Sequence, residues 1–184
     1  MSDNPNADDI QLLKRAQEGD KEAFGDLYER YAQAVFRFLY AHLDNRLDAE
    51  DLTAEVFLRV WRSLPGYREQ GIPFQALLFR IARNALIDLY RRSNHVEQAL
   101  EMDDLPDLDG LTNPGDQVII RSEYQKVREV LSKLKEDYRS VLVLRFFSGL
   151  SPEETALAMG RSPGAVRVLQ HRALAAIRLV IEDM

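Results

Sequence analysis

The sequence has no cysteine among its 184 residues. This excludes disulfides, thiolate metal sites and a cysteine nucleophile, and it fits a reducing compartment, so we expect a cytoplasmic protein. No apolar run approaches the roughly 20 residues that a membrane-spanning helix needs, so we expect no stable membrane insertion. The first residues, MSDNPNADD, are acidic and polar, unlike a secretory signal peptide.

Residues typical of catalysis are also scarce. The three histidines, His42, His95 and His171, are far apart in the sequence, and no metal-ligand spacing, phosphate-binding loop or nucleophile motif occurs. The acidic pair Glu153-Glu154 stands at a predicted helix start, where capping and the helix dipole explain it. The sequence therefore predicts no enzyme, no metal site and no cofactor.

Basic residues are missing from one segment. Residues 93–117 contain seven acids and no lysine or arginine, whereas 1–92 carry 13 bases and 15 acids, and 118–184 carry 11 bases and 8 acids. The acidic segment is rich in Pro, Gly and Asn and shows no helical period, which is typical of an extended linker. The predicted fold is all-α, with two small helical domains, 1–92 and 118–184, joined by the acidic flexible linker 93–117.

The helix starts are predicted from capping residues. Asp8 or Asp9 is expected to cap a first helix that ends at Gly19, Asp20 a second helix, and Asp48 a third. The second helix has an apolar stripe at three- and four-residue spacing that is expected to be buried: Phe24, Leu27, Tyr28, Tyr31, Val35, Phe38 and Leu39. A loop with two prolines and two glycines, 64–73, precedes a fourth helix from about Phe74 to Arg92.

The third helix carries two distinct rows of residues. Leu52, Val56, Val60 and Leu64 recur at four-residue spacing and are expected to face the core. The neighbouring row mixes acidic, small and apolar side chains and is expected to be exposed, either as a docking face for a protein or as an ordinary solvated face. This second row contains Asp51, Ala54, Glu55, Leu58 and Arg62.

Arginines and aromatic residues alternate from Arg59 to Arg92. The stretch has seven bases against two acids, although the whole chain has a net charge of −6. Basic groups among rings suit a surface that neutralises phosphates and stacks bases. The alternative is that the rings belong to the core and the arginines to a solvated helix face. The rings are Trp61, Tyr67, Phe74, Phe79 and Tyr90.

The C-terminal part contains the sharpest local pattern. Ser151 with Pro152 and Glu154 predicts a capped short helix, Gly160 a turn, and Ser162-Pro163 a second cap. A short helix, a glycine turn and a second helix form the helix-turn-helix pattern, although a plain helical hairpin is the alternative. Four residues lie on one outward face of the second helix, where a recognition helix reaches base edges: Arg167, Val168, His171 and Arg172.

Taken together, DAEDLTAEVFLRVWRSL, FQALLFRIARNALIDLYRR, the acidic linker and LSPEETALAMGRSPGAVRVLQHRAL resemble the extracytoplasmic-function (ECF) group of bacterial sigma factors. The resemblance covers nearly the whole chain and implies two helical domains that bridge RNA polymerase core and promoter DNA. It implies that Asp51, Ala54, Glu55 and Leu58 dock on the coiled coil of the largest catalytic subunit. It implies that the 64–73 loop and the fourth helix read and melt the −10 element, with the loop holding a flipped base, through Tyr67, Arg68, Arg80, Arg83, Asn84 and Arg91. It assigns the −35 element to Arg167, Val168, His171 and Arg172.

The chain departs from the usual pattern of this group at three places. Leu77 stands where Trp is frequent, Lys135 stands where Pro usually follows Leu134, and Gly164–Leu169 replaces Gly-Thr-Val-Lys-Ser-Arg. The last change removes hydroxyls and one base, which indicates a different preferred −35 sequence. The group also implies an anti-sigma factor as a further partner.

A one-component helix-turn-helix regulator that acts without core polymerase is the alternative function. Such a regulator needs a first domain with a ligand pocket, whereas a sigma factor needs the basic-aromatic fourth helix.

Overall fold

The computed structural model describes residues 5–43, 45–68, 72–96 and 126–183. These residues form helices and turns with no strand among them, as the predicted all-α class requires. The predicted linker, apart from residues 93–96, lies outside them, as do residues 118–125. The helices are α1 Pro5–Gln17, α2 Lys21–Tyr40, α3 Arg46–Ser63, α4 Phe74–Val96, α5 126–132, α6 Glu136–Leu142, α7 Pro152–Met159 and α8 Pro163–Glu182.

Helix α2 begins at the predicted cap, whereas α1 and α3 do not. The Asp20 carboxylate accepts hydrogen bonds from the backbone of Glu22 and Ala23, and these bonds, with the Arg15 side chain, lower the pKa of Asp20. Helix α3 is capped by Asn45, whose side chain accepts from the backbone of Leu47 at 2.9 Å, so the prediction of Asp48 was wrong by three residues.

Helix α1 starts at Pro5, before either predicted cap. Asp9 is instead 4% exposed and accepts hydrogen bonds from Arg30 and Tyr31 on α2. Burial and the Asp9 hydrogen bond raise the pKa of Tyr31. The residue that we expected to cap α1 therefore ties α1 to α2.

The apolar row of α3 faces the core as predicted. Leu52, Val56, Val60 and Leu64 are at most 5% exposed, and they pack with residues of α2 and α4. Leu64 begins a short 3₁₀ turn, Leu64–Gly66, within the predicted loop. Helix α4 continues four residues beyond the predicted end at Arg92.

The helix-turn-helix pattern is confirmed in its local geometry. Ser151 and Glu154 form a reciprocal capping box at the start of α7, and Gly160 ends that helix with a left-handed φ of 63°. The Ser162 hydroxyl accepts from the backbone of Ala165 at the start of α8. Before α7, residues Val143–Phe147 form a π-helical turn that continues α6.

The two helical units pack against each other in this structure. Helix α4 of the first unit lies along α7 of the second, and buried residues of both units form one continuous cluster. The Gln75 side chain donates to the backbone oxygen of Ser148 at 3.0 Å, and the Arg128 guanidinium donates to that of Leu43 at 2.6 Å. Predicted functional residues that lie at this contact are therefore less accessible to a partner than those on the outer faces.

Candidate functional site

The predicted docking row on α3 is largely exposed. Asp51, Ala54 and Leu58 are exposed, and Leu58 keeps 56% of its surface in solvent. Glu55 is half-buried and accepts a hydrogen bond from Arg59 at 2.6 Å, and Arg59 also donates to Asp88 at 2.9 Å. The Asp88 and Glu55 carboxylates raise the pKa of Arg59. The acidic part of the row is thus partly neutralised, and its apolar part is open.

An apolar groove of about 460 Å³ lies beside this row, between α2 and α3. Ala54 and Leu58 form one wall. The ring of Phe24 lies 4.8 Å from that of Trp61, and the ring of Tyr28 lies 4.7 Å from that of Phe57. The α2 side of the groove was not predicted, because Phe24 and Tyr28 belong to the apolar stripe expected to be buried, yet Tyr28 is 43% exposed. An exposed groove of rings is the kind of surface that receives an apolar helix face.

Three of the residues assigned to −10 DNA lie on one exposed face of α4. Arg80, Asn84 and Arg91 are exposed and are spaced by four and seven residues, which is close to whole helical turns. These positions leave two guanidinium groups and an amide available to phosphates or unpaired bases. Exposed arginines fit both a nucleic-acid surface and an ordinary solvated helix face. Two of the five rings, Phe74 and Phe79, are at most 4% exposed, as the alternative with the rings in the core expects.

The two residues assigned to −10 DNA in the loop differ in exposure. Tyr67 is half-buried, and its hydroxyl donates to the backbone oxygen of Ile72 at 2.8 Å, while its ring packs edge-on against Phe74. Arg68, the next residue, is exposed. The tyrosine therefore shapes the loop and the arginine projects from it.

Arg83 lies on the contact between the two units. Its side chain is only 16% exposed, and it donates to the Asp137 carboxylate at 3.1 Å, with Glu136 at 3.7 Å. Asp137 also pairs with Arg161, in the turn between α7 and α8. In this arrangement Arg83 is held by acids of the second unit, and DNA can reach it only after that contact loosens.

A buried histidine lies on the same contact. Neutral His42 donates from Nδ1 to the Phe38 carbonyl at 2.8 Å, so its Nε2 accepts from the Ser140 hydroxyl at 2.9 Å. Burial lowers the pKa of His42 to about 4, against the raising effect of the Phe38 carbonyl, and Arg139 and Arg83 lower it further. His42 therefore joins the two units in its neutral form at neutral pH.

The four residues assigned to −35 DNA are all exposed on α8. Val168 is 52% exposed, and Arg167, His171 and Arg172 are exposed as well. Arg167 lies 3.4 Å from Glu153, but both side chains keep more than half of their surface in solvent, so this pair is weak. Val166 and Ala173 anchor the opposite face in the core. The reading face is thus free while α7 packs on α4.

No group of carboxylates or imidazoles in the described segments is arranged to hold a metal ion. None of the helices in these segments combines the length and the apolar character that a membrane span requires.

Comparisons with known proteins identify both units. The family described as Sigma-70 region 2 matches residues 27–96, and the family described as Sigma-70, region 4 matches residues 124–177. The ECF RNA polymerase sigma factor ShbA of Streptomyces griseus is 37% identical over 180 residues, which cover 94% of each chain. BldN of Streptomyces coelicolor, also an ECF RNA polymerase sigma factor, is 33% identical over 99% of this chain and 69% of its own length. The structure of CnrH in complex with the cytosolic domain of CnrY is similar with a TM-score of 0.74 at 28% identity, covering 96% of this chain and 98% of CnrH.

Proposed function

The chain belongs to the ECF group of RNA polymerase sigma factors, and from that premise we propose how its two surfaces divide the work of promoter recognition. As a sigma factor it directs transcription initiation together with RNA polymerase. The alternative function, a one-component regulator, is therefore wrong. The proposed division is a polymerase-binding and −10 domain at 1–92, a linker at 93–117 and a −35 domain at 118–184.

The observation that carries this division is the exposure of a basic helix face and a reading helix on separate units of one chain. Arg80, Asn84 and Arg91 project from α4, and Arg167 and Arg172 project from α8. Arginine is suited to both tasks, since its planar guanidinium binds phosphates and reads guanine edges. Two such surfaces on one chain fit two separated promoter elements.

Core polymerase is proposed to dock on the apolar groove between α2 and α3. The groove supplies rings and Leu58 for the apolar contact, and Lys21 lies at its α2 side. Asp51 and Glu55 lie on α3 beside Ala54 and Leu58, so polar groups flank the apolar centre. A hydrophobic centre with a polar rim is the usual anatomy of a protein interface. This extends the docking surface beyond the predicted row to Phe24, Tyr28 and Trp61.

The −10 element is proposed to lie along α4 and the loop. Arg80, Asn84 and Arg91 face the strand, Arg68 and Tyr67 border the flipped base, and Arg83 joins them once it leaves Asp137. Taking a base out of the stack costs a few kcal/mol, which cations and a fitted pocket must offset. The −35 element is proposed to lie against Arg167, Val168, His171 and Arg172, in the major groove.

An anti-sigma factor is proposed as a regulatory partner. CnrH, an RNA polymerase sigma factor of similar fold over nearly its whole length, has been solved with the cytosolic domain of CnrY. Because the proposed partners are RNA polymerase and promoter DNA, the proposed location is the cytoplasm. The proposed role involves no catalysis by this chain.

The experiment is run-off transcription with purified core polymerase. We expect specific transcripts only when both proteins are present. Leu58→Glu places a charge in the apolar groove and is expected to weaken core binding about tenfold or more, as loss of a buried interface anchor does. Arg80→Ala is expected to keep core affinity and slow promoter opening. Lys14→Ala, at an exposed position of α1, serves as the control. Unchanged core binding in Leu58→Glu, or unchanged opening in Arg80→Ala, would contradict the assigned surfaces.

A further inference from the structure

The loop that precedes α4 is held in place by a residue of α1. Gln17 is the last residue of α1, and its side-chain amide donates to the backbone oxygen of Leu64 at 3.0 Å and to that of Tyr67 at 2.6 Å. The two acceptors lie 47 and 50 residues further along the chain. One amide nitrogen therefore ties both ends of the 3₁₀ turn to a separate helix.

The far limb of the same loop is closed by a second contact. Tyr67 donates from its hydroxyl to the Ile72 carbonyl at 2.8 Å, and its ring packs against Phe74 at 6.4 Å. The Tyr67 backbone oxygen thus accepts a hydrogen bond from Gln17, and the Tyr67 side chain closes the loop. The described part of the loop, 64–68 with 72–73, is fixed at its start by Gln17 and at its end by Tyr67.

The end of α1 is itself rigidly placed. Leu13 and Ala16 are buried against α2, and Gly19 turns the chain with a φ of 93°. Arg15 and Asp20 close this turn with an ion pair of 2.7 Å. Gln17 therefore holds the loop at a fixed place relative to the end of α1, because the Leu64 and Tyr67 carbonyls cannot move without breaking a hydrogen bond.

The position of the anchored carbonyl matters for recognition. The Tyr67 oxygen belongs to the peptide unit that joins Tyr67 to Arg68, so the hydrogen bond from Gln17 fixes the plane of this peptide. Arg68 is exposed at the next position. The direction in which the Arg68 side chain leaves the loop thus depends on Gln17.

We propose that Gln17 is a positioning residue for −10 recognition, which holds the Leu64–Arg68 segment in the geometry that accepts an unpaired base. The inference rests on the proposed function of the loop. Gln17 lies outside the matched region 2 segment, which begins at residue 27, so the match itself assigns it no role. Helix α1 thus contributes to −10 recognition through Gln17, in addition to packing in the bundle.

The test compares DNA probes bound by holoenzyme reconstituted from core polymerase and the full chain. Each probe has a duplex −35 element and a single-stranded non-template −10 element, with each of the four bases in turn at the flipped position. Gln17→Met keeps the length and volume of the side chain and removes the donors. The ratio of affinities for the preferred and the other bases is expected to fall about fivefold, the effect of one net hydrogen bond. Core binding and duplex −35 binding are expected to be unchanged.

Two further variants separate positioning from stability. Gln17→Lys retains N–H donors and is expected to keep the ratio near the wild-type value. Gln11→Met, at an exposed position of the same helix, controls for the substitution itself. If Gln17→Met weakens all four probes equally, or if Gln17→Lys loses the ratio as fully as Gln17→Met does, the positioning role is overturned. A wild-type holoenzyme that shows no base preference overturns the proposed function of the loop, and this inference with it.

Discussion

Asp137 connects the two units, and its replacement by asparagine is expected to loosen their contact. The carboxylate pairs with Arg83 of α4 and with Arg161 before α8. Asparagine is nearly isosteric and keeps an oxygen acceptor, so the change removes charge while preserving shape. The apolar packing of α4 on α7 and the hydrogen bond between His42 and Ser140 remain. The variant is therefore expected to fold, with a higher population of separated units.

The size of the effect follows from the exposure of the three side chains. Asp137 is 35% exposed, Arg83 16% and Arg161 40%, so solvent screens both pairs in part. Ion pairs of this kind contribute about 0.2–1 kcal/mol each, and together the two are expected to contribute about 1 kcal/mol. This corresponds to about a fivefold shift between joined and separated units. Added salt should weaken the wild-type contact and have little further effect on the variant.

The assay measures the distance between the units. Because the natural chain has no cysteine, two introduced cysteines take labels selectively. Ser63 at the end of α3 and Arg178 on α8 are both exposed and suit resonance energy transfer. Asp137→Asn is expected to populate the longer distance about fivefold more, by the free-energy estimate for the two pairs. Glu50→Gln removes a comparable exposed pair within α3, with Arg46 at 2.7 Å, and should leave the distance unchanged.

Identical distance distributions in wild type and Asp137→Asn, at low and high salt, would refute the role of these charges. The same outcome would mean that apolar packing alone holds α4 against α7. If the distances do lengthen, Arg83 becomes available to DNA. Promoter binding by the variant should then reach saturation at a lower concentration of holoenzyme.

Two further predictions concern stability. The lowered pKa of His42 means that the folded state resists a proton that the unfolded state accepts, so stability falls as pH drops from about 6.5 towards 4. From neutral pH to pH 5 the loss attributable to His42 is about 2 kcal/mol. Urea unfolding of wild type and His42→Gln at both pH values measures it, and equal losses in the two proteins would contradict this assignment. Gly160→Ala is expected to cost about 1 kcal/mol because of its left-handed backbone, whereas Gly25→Ala, inside α2, should stabilise by about 0.5–1 kcal/mol. Thermal melts of the two variants should shift in opposite directions, and shifts of the same sign would exclude the backbone explanation.

The parts of the fold that depend on neighbouring residues could be predicted from the sequence. Ser151 with Glu154, Gly160 and Ser162 act within three or four residues of their own position, so their pattern determined the geometry of α7 and α8. The cap of α3 was missed because two local candidates compete for the same helix start. Asn45 and Asp48 are both good capping residues, and the sequence offers no distance that chooses between them.

The groove on α2 and α3 required knowledge of packing. Tyr28 and Phe24 have the spacing of a buried stripe, and whether they are covered depends on the rotation of α2 against α3. Leu58 was expected to be exposed because it lies beside the inward row. The sequence therefore predicted one wall of the groove and assigned the other wall to the core.

Arg83 shows why an outward position in a helix pattern does not make a side chain available to a ligand, since only 16% of its side chain is exposed. Its spacing from Arg80 and Asn84 places it near the outward face of α4, but its partner Asp137 lies 54 residues away on another unit. A long-range pairing of this kind depends on how the two units meet, which local periodicity does not encode. The same contact leaves Arg167, His171 and Arg172 exposed, because α7 rather than α8 faces α4. In this arrangement the surface assigned to −35 DNA is complete, whereas the surface assigned to −10 DNA lacks one cation until the units part.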